Sequence, residues 1–145
     1  MIQQRLSAIR ALLQQNHLAA CIIPGNDPHA SEYMAPHWME MTWISGFLGE
    51  TGTIVITLDK ALLWTDSRYY LQAETELAGS TIELMRESDV DCPSIEQWLM
   101  ANLPEKSTIS VNAEMYSVDA YNALQHTLAL ANIQVRSIDL IAPLW

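Results

Sequence analysis

Short apolar runs rich in β-branched residues alternate with segments of helical periodicity along most of this chain. The helical patterns cover residues 2–13, 67–77, 93–103 and 117–132. The strand patterns cover residues 19–23, 53–57, 61–65, 80–86, 107–111 and 133–138. Such alternation is typical of βαβ units, in which a helix returns the chain to the same end of the sheet. We therefore predict a three-layer α/β domain with a mixed, mostly parallel sheet of about six strands.

One pair of strands interrupts the parallel pattern. TIVIT (53–57) and ALLWT (61–65) are separated by only three residues, which is too short a connection for a crossover. These strands are expected to form an antiparallel hairpin. The chain has 145 residues, of which half are hydrophobic, so we predict a single domain over residues 1–145 with one buried core.

The charge balance argues against two classes of partner. The chain has 17 acidic and 7 basic residues, a net charge of −10 with neutral histidines, and no basic run that could follow a phosphate backbone. Nucleic acids and anionic membranes are therefore unsuitable partners. The sequence also contains no signal-type segment and no apolar stretch long enough to cross a membrane. We expect a soluble chain located in the cytoplasm.

The segment DPHASEYMAPHW (27–38) combines residue types that bind metals. Asp27, His29 and Glu32 could ligate a divalent cation. Their spacing matches no compact metal motif such as HExxH, and the nearby prolines place them all on one long loop. Hydrogen bonds that tie this loop to the domain are the favoured interpretation.

The glycines at 46, 49 and 52 resemble a phosphate-binding loop at first sight. Their spacing fits neither GxGxxG nor GxxxxGK[ST], and a strand rather than a helix follows them. We interpret them as turn residues.

The turn between residues 61–65 and 67–77 offers the best candidate for a ligand contact. Ligands of open α/β sheets gather at the carboxyl ends of strands, where this turn lies. Asp66 or Ser67 is suited to cap the helix. Arg68 has no carboxylate three or four positions away. We expect Arg68 either to pair with a distant acid or to present its guanidinium to a bound carboxylate or carbonyl.

The remaining aromatic and sulfur-containing residues are interpreted as structural. Trp64 and Trp98 are predicted to lie in the core. A second group follows the long loop in a turn-rich segment and is either core or an exposed interaction patch, with core favoured: Met34, Trp38, Met39, Met41 and Trp43. Cys21 and Cys92 are expected to be thiols, because no CxxC spacing occurs, and no serine lies in GxSxG.

Three ordered segments carry a resemblance to a known family. DPHASEYMAPHW, WISGFLGETGTIVIT and LLWTDSRYYLQAETEL resemble, in that order and spacing, the N-terminal domain of aminopeptidase P, the Xaa-Pro aminopeptidases of the creatinase/prolidase superfamily. The cytosolic three-domain type is the most similar, and the likeness extends through EQWLMANLP to the terminal IDLIAPLW. The sequence departs from the pattern at Glu50 and Thr51, at Met41 and Thr42, and at Ser67, where the family usually has glycine.

The resemblance implies a ribonuclease H-like fold and a catalytic site elsewhere in a longer protein. In that family a separate C-terminal domain binds two divalent metals, often manganese, and removes the N-terminal residue that precedes proline. None of those ligand motifs occurs in this chain, so the 145 residues are expected to be an inactive N-terminal domain, without the middle and catalytic domains and without a cofactor of their own. The apolar tail IDLIAPLW fits an excised domain.

The resemblance also implies particular residue roles. The family's N-terminal domain restricts access to the active site, takes part in homodimer organisation, and supplies an arginine that contacts the bound peptide. Arg68 matches that arginine. The matching motif around it contains Asp27, His29, Glu32, Tyr33 and Asp66.

Two alternatives remain. The domain could belong to a prolidase or a creatinase-like amidinohydrolase, which only the downstream substrate pocket discriminates. It could also be a free-standing binding domain.

Overall fold

The computed structural model describes residues 2–25, 40–49 and 52–140. Six strands form one sheet in the order β4-β3-β2-β1-β5-β6. The strands are β1 (Ala20–Pro24), β2 (Thr53–Thr57), β3 (Ala61–Thr65), β4 (Ile82–Arg86), β5 (Thr108–Val111) and β6 (Gln134–Ser137). The helices are α1 (Ile2–Gln15), α2 (Glu40–Ser45), α3 (Tyr70–Glu76), α4 (Ile95–Asn102) and α5 (Val118–Ala129).

The helices cover both faces of the sheet. Residues of α1, α2 and α3 pack with one face in a cluster that includes Leu6, Ile44 and Ala73. Residues of α4 and α5 pack with the other face, where Leu99 and Leu128 are fully buried. The three-layer α/β architecture predicted from the sequence is confirmed.

The strand directions confirm a mixed, mostly parallel sheet. β2 is antiparallel to both of its neighbours, β1 and β3, whereas the pairs β1–β5, β3–β4 and β5–β6 are parallel. The β2–β3 hairpin closes through Thr57, whose side-chain oxygen accepts the backbone N–H of Lys60 at 2.9 Å. The connection contains no glycine, and the side chain of Thr57 stabilises the turn instead.

Side-chain caps set the starts of the two helices on one face. Ser94 and Gln97 form a reciprocal capping box at α4, and the hydroxyl of Ser117 accepts the Ala120 backbone N–H at α5. Both helices lie within the predicted helical segments, residues 93–103 and 117–132.

The structure adds one α-helix that the sequence did not indicate. α2 occupies the segment that we had interpreted as turn-rich. Its six residues span fewer than two turns, so helical periodicity is not visible in the sequence. Met41 and Ile44 are buried, and Trp43 packs against the same cluster, which confirms the core interpretation for Met41. Met34, Trp38 and Met39 lie outside the described residues.

Five strands share one direction, so their carboxyl ends meet along a single margin of the sheet, here called the carboxyl edge. Because β2 runs the opposite way, its first residue, Thr53, lies at this edge and pairs with both Pro24 and Trp64. None of the helices in the described part of the chain has the length and apolarity that a membrane span requires.

Candidate functional site

The turn after β3 places Arg68 at the carboxyl edge. β3 ends at Thr65, a short 3-10 helix covers Ser67–Tyr69, and α3 follows at once. Asp66 adopts an extended conformation and caps this helical start, because its Oδ1 accepts the backbone N–H of Arg68 at 3.0 Å. The predicted capping role of Asp66 therefore agrees with the structure.

The same carboxylate binds the guanidinium of Arg68. Nε of Arg68 donates to Oδ1 of Asp66 at 3.1 Å, and Nη2 donates to Oδ2 at 2.9 Å. The expectation that Arg68 lacks a local acid was wrong. It considered only positions three and four away, which is the rule within a regular helix. Asp66 lies two positions before Arg68, and its extended backbone brings its carboxylate within hydrogen-bonding distance of the Arg68 guanidinium.

Aromatic packing adds a second support beneath Arg68. Its guanidinium carbon lies 5.2 Å from the ring centroid of Tyr69, and the Tyr69 ring meets Phe47 edge-on at 6.2 Å. Phe47 is fully buried. Arg68 is thus connected to the core through two rings, while 66% of its side chain remains exposed.

A second arginine occupies the neighbouring strand end. Arg86 pairs in register with Thr65, its guanidinium forms an ion pair with Glu74, and it lies 5.1 Å from the ring centroid of Tyr70. The hydroxyl of Tyr70 accepts the backbone N–H of Ser88 at 2.9 Å, which fastens α3 to the end of β4. Sequence reasoning missed Arg86. Its position at the end of a predicted strand was the available signal.

Ser67 fits the turn without a left-handed backbone. Among the described non-glycine residues, positive φ angles occur at His17, Lys106 and Asn132, and Ser67 is not one of them. The glycine usual in the resembled family is therefore not required here by backbone conformation.

The glycines before β2 have a structural role in the backbone. Gly46 has a φ of 75°, and the backbone N–H of Gly25 donates to the carbonyl of Gly52 at 2.8 Å. A Cβ on Gly25 would lie 2.7 Å from that carbonyl oxygen. The left-handed backbone of Gly46 and the close approach of Gly25 to Gly52 agree with a structural role for Gly46 and Gly52.

Four residues of the predicted motif, Asp27, His29, Glu32 and Tyr33, lie outside the described residues, as do Glu50 and Thr51. The described chain before them ends at Gly25, which follows the last residue of β1 at the carboxyl edge. In the described ranges, no group of three or more His, Cys, Asp or Glu side chains is arranged to hold a metal ion.

The other predicted core residues are where the sequence placed them. Trp64 and Trp98 are buried and meet edge-on with centroids 6.2 Å apart. Nε1 of Trp64 donates to the carbonyl of Pro93 at 2.9 Å, which ties β3 to the segment that precedes α4. Cys21 is buried and Cys92 is half-buried, both as thiols.

Comparison with known proteins gives consistent matches over nearly the whole chain. The family model described as the Creatinase/Prolidase N-terminal domain matches residues 5–141. Xaa-Pro aminopeptidase 1 of Dictyostelium discoideum is 36% identical over 135 residues, which covers 93% of this chain and 21% of that protein. An Xaa-Pro aminopeptidase of Drosophila melanogaster is 40% identical over 130 residues, with 88% and 21% covered. The chain thus spans about a fifth of the length of these curated relatives.

Solved structures give the same picture. An X-prolyl aminopeptidase from Caenorhabditis elegans, described as a cytosolic enzyme with a di-nuclear active site, superimposes with a TM-score of 0.93 at 29% identity, covering 100% of this chain and 25% of that one. The N-terminal domain of the peptidase PepQ from Mycobacterium tuberculosis matches with a TM-score of 0.70 at 20% identity, covering 98% of both chains, and supports the fold alone.

Proposed function

Because this chain belongs to the Creatinase/Prolidase N-terminal domain family, we propose that it is the non-catalytic N-terminal domain of an Xaa-Pro aminopeptidase. The complete protein would hydrolyse the peptide bond between an N-terminal residue and a following proline. The names of the relatives at 36–40% identity favour this activity over that of a prolidase or a creatinase-like amidinohydrolase. Residues 1–145 alone would be inactive, because the catalytic groups belong to the remainder of the protein.

The observation that carries the proposal is the way in which Asp66 and Tyr69 hold the side chain of Arg68. The guanidinium is largely exposed at the carboxyl edge, yet it is oriented by two hydrogen bonds to Asp66 and by the ring of Tyr69. A planar cation held in this way can donate in two parallel bonds to a peptide carbonyl or carboxylate. Its role would be to position the peptide rather than to react with it.

The metal chemistry of the proposed enzyme would reside outside this chain. Two divalent ions, which we propose to be manganese, would activate water in the catalytic domain. The di-nuclear site described for the Caenorhabditis elegans neighbour supports this division. In our proposal the present domain limits access to that site, helps to organise a homodimer in the cytoplasm, and contributes Arg68 to peptide binding.

The test is the kinetics of Arg68→Ala and Arg68→Lys in the complete protein, assayed on Xaa-Pro peptides with manganese. We expect KM to rise about tenfold in Arg68→Ala, which is the usual effect of removing a charge-assisted hydrogen bond, with the metal content unchanged. Lysine should restore little, because it lacks the planar pair of donors. Arg136→Ala is the matched control, since Arg136 is an exposed arginine on β6.

Four results would refute one or other of these assignments. Unchanged turnover in Arg68→Ala would remove the peptide-contacting role. Hydrolysis restricted to Xaa-Pro dipeptides would favour a prolidase, activity on creatine would favour an amidinohydrolase, and a natural polypeptide of about the mass of this chain, 16.3 kDa, would favour a free-standing binding domain.

A further inference from the structure

A cleft of about 480 Å³ lies on the α4 and α5 side of the sheet. Its lining includes Ile22, Ile95, Glu96, Tyr116 and Leu124. The cleft lies where β1 and β5 end side by side. β1 and β5 are parallel neighbours in the sheet. After β1 the chain continues to β2, on one side of this pair in the strand order, and after β5 it continues to β6, on the other side. Ligands of open α/β sheets bind at such switch points.

Two polar side chains line this cleft without a hydrogen-bond partner among the described residues. The carboxylate of Glu96 and the hydroxyl of Tyr116 belong to half-buried residues. Within residues 2–25, 40–49 and 52–140, neither group takes part in a hydrogen bond or an ion pair. Burial raises the pKa of Tyr116 above its ordinary value, and the nearby carboxylate of Glu96 raises that pKa further. Partly buried polar groups of this kind favour an occupant that supplies hydrogen-bond donors.

The rest of the cleft restricts what the occupant can be. Ile22, Ile95 and Leu124 provide an apolar wall, and the rings of Tyr116 and Tyr121 form an edge-on pair with centroids 6.4 Å apart. An occupant therefore needs an apolar body, donors for a carboxylate, and a group that packs on an aromatic ring. Arginine has all three, because its stem packs on apolar surface while its weakly hydrated guanidinium bonds carboxylates and stacks on rings.

The surrounding charge agrees with a cationic occupant. Exposed carboxylates precede α4 and flank Tyr116 in the chain; they belong to Glu87, Asp89, Asp91, Glu114 and Asp119. Between residues 87 and 119 the one basic residue is Lys106. Lys106 lies just before β5, at the edge of the sheet opposite the cleft. Acidic residues thus predominate in the two chain segments that supply Glu96 and Tyr116, which favours a cationic over an anionic occupant.

We propose that this cleft receives an arginine side chain from the part of the same protein that lies outside the present chain. The guanidinium binds the carboxylate of Glu96, and the stem packs against the apolar wall. The origin of the arginine rests on the proposed function, in which this chain is one domain of a longer protein, since it covers about a fifth of its relatives' length. The site itself does not depend on that function.

The site itself is tested on the 145-residue chain. The chain is titrated with N-acetyl-arginine methylamide and, as the neutral isostere, N-acetyl-citrulline methylamide, while amide and tyrosine resonances are followed by NMR. We expect saturable shifts at Ile22, Glu96 and Tyr116 with the arginine probe, and binding at least about tenfold weaker with citrulline. Glu96→Gln should weaken the arginine probe to the level of citrulline, whereas Glu83→Gln, an exposed acid on β4, should not.

Equal binding of the two probes, or no saturable shift at the cleft, would overturn the site. The origin of the arginine is tested by repeating the titration on the complete protein, in which we expect the probe to be excluded by the resident side chain. Undiminished probe binding there would overturn that origin, and so would concentration-dependent self-association of the 145-residue chain through the cleft. Probe exclusion in a complete protein that is inactive on Xaa-Pro peptides would refute the proposed function and retain the site.

Discussion

The carboxylate of Asp66 accepts three hydrogen bonds from Arg68, one from its backbone N–H and two from its guanidinium. One side chain thus fixes both the start of the helical turn and the direction of the arginine. This arrangement separates two consequences of mutation, because the cap requires only an oxygen acceptor whereas the guanidinium pair requires a charge.

Asp66→Asn in the complete protein should therefore change peptide binding more than folding. The amide keeps one oxygen for the cap, and the lost ion pair is worth less than about 1 kcal/mol because Arg68 is largely exposed. We expect KM for an Xaa-Pro peptide to rise about three- to tenfold with kcat little changed, measured by steady-state kinetics. Asp66→Ala, which also removes the cap, should lower the free energy of unfolding further. A normal KM in Asp66→Asn beside a raised KM in Arg68→Ala would contradict the orienting role.

Trp64→Phe should destabilise the domain by about 2–3 kcal/mol. The substitution shrinks a side chain that is 2% exposed and leaves the carbonyl of Pro93 without its indole donor. Trp98→Phe is the matched control, since no acceptor for its Nε1 is found among the described residues, and it should cost less. Urea unfolding followed by circular dichroism measures both. Equal costs would mean that the bond to Pro93 contributes nothing to stability.

Two glycine substitutions separate steric contact from backbone strain. Gly79→Ala places a methyl group in open space at a φ of 79° and should cost about 1–2 kcal/mol from strain alone. Gly25→Ala would bring its methyl group to 2.7 Å from a backbone oxygen that also accepts the Gly25 N–H. It should cost about 2–3 kcal/mol, because two backbone segments must separate. Urea midpoints that rank Gly79→Ala as the more damaging change would refute this comparison.

Cys92 should react slowly with iodoacetamide at pH 8. Burial, followed by the carboxylates of Asp89 and Glu87, raises the pKa of its thiol, so less thiolate is present than in an ordinary cysteine. Because the folded-state pKa is raised, its contribution to stability is present below the ordinary pKa of a thiol and is lost as the pH rises through the folded-state pKa. Asp89→Asn should lower the pKa and speed alkylation, as mass spectrometry of the Cys92 peptide would detect. An unchanged pH profile in that variant would exclude the electrostatic cause.

Local patterns predicted the secondary structure well where burial is continuous. The hairpin strands begin and end at the expected residues, because every position from Ile54 to Thr57 and from Ala61 to Thr65 is buried and the hydrophobic runs coincide with the strands. α2 was missed since a six-residue helix presents too few turns to reveal a period. The partner of Arg68 was assigned wrongly because helix spacing rules do not apply to an extended capping residue.

The sequence by itself determined the order and kind of the described strands and of four of the five described α-helices, the hairpin, the helical cap at Asp66, and the likeness to a family. These features depend on interactions between residues close in the chain, or on the periodic burial of one face, both of which leave a readable pattern. Only the tertiary structure decided which strands are neighbours beyond the β2–β3 hairpin. It thereby decided that β1 and β5 open the cleft of Glu96 and Tyr116, and that Arg86 ends beside the turn of Arg68. Strand order depends on how whole faces of the helices and the sheet pack against one another, and no local spacing in the sequence encodes that packing.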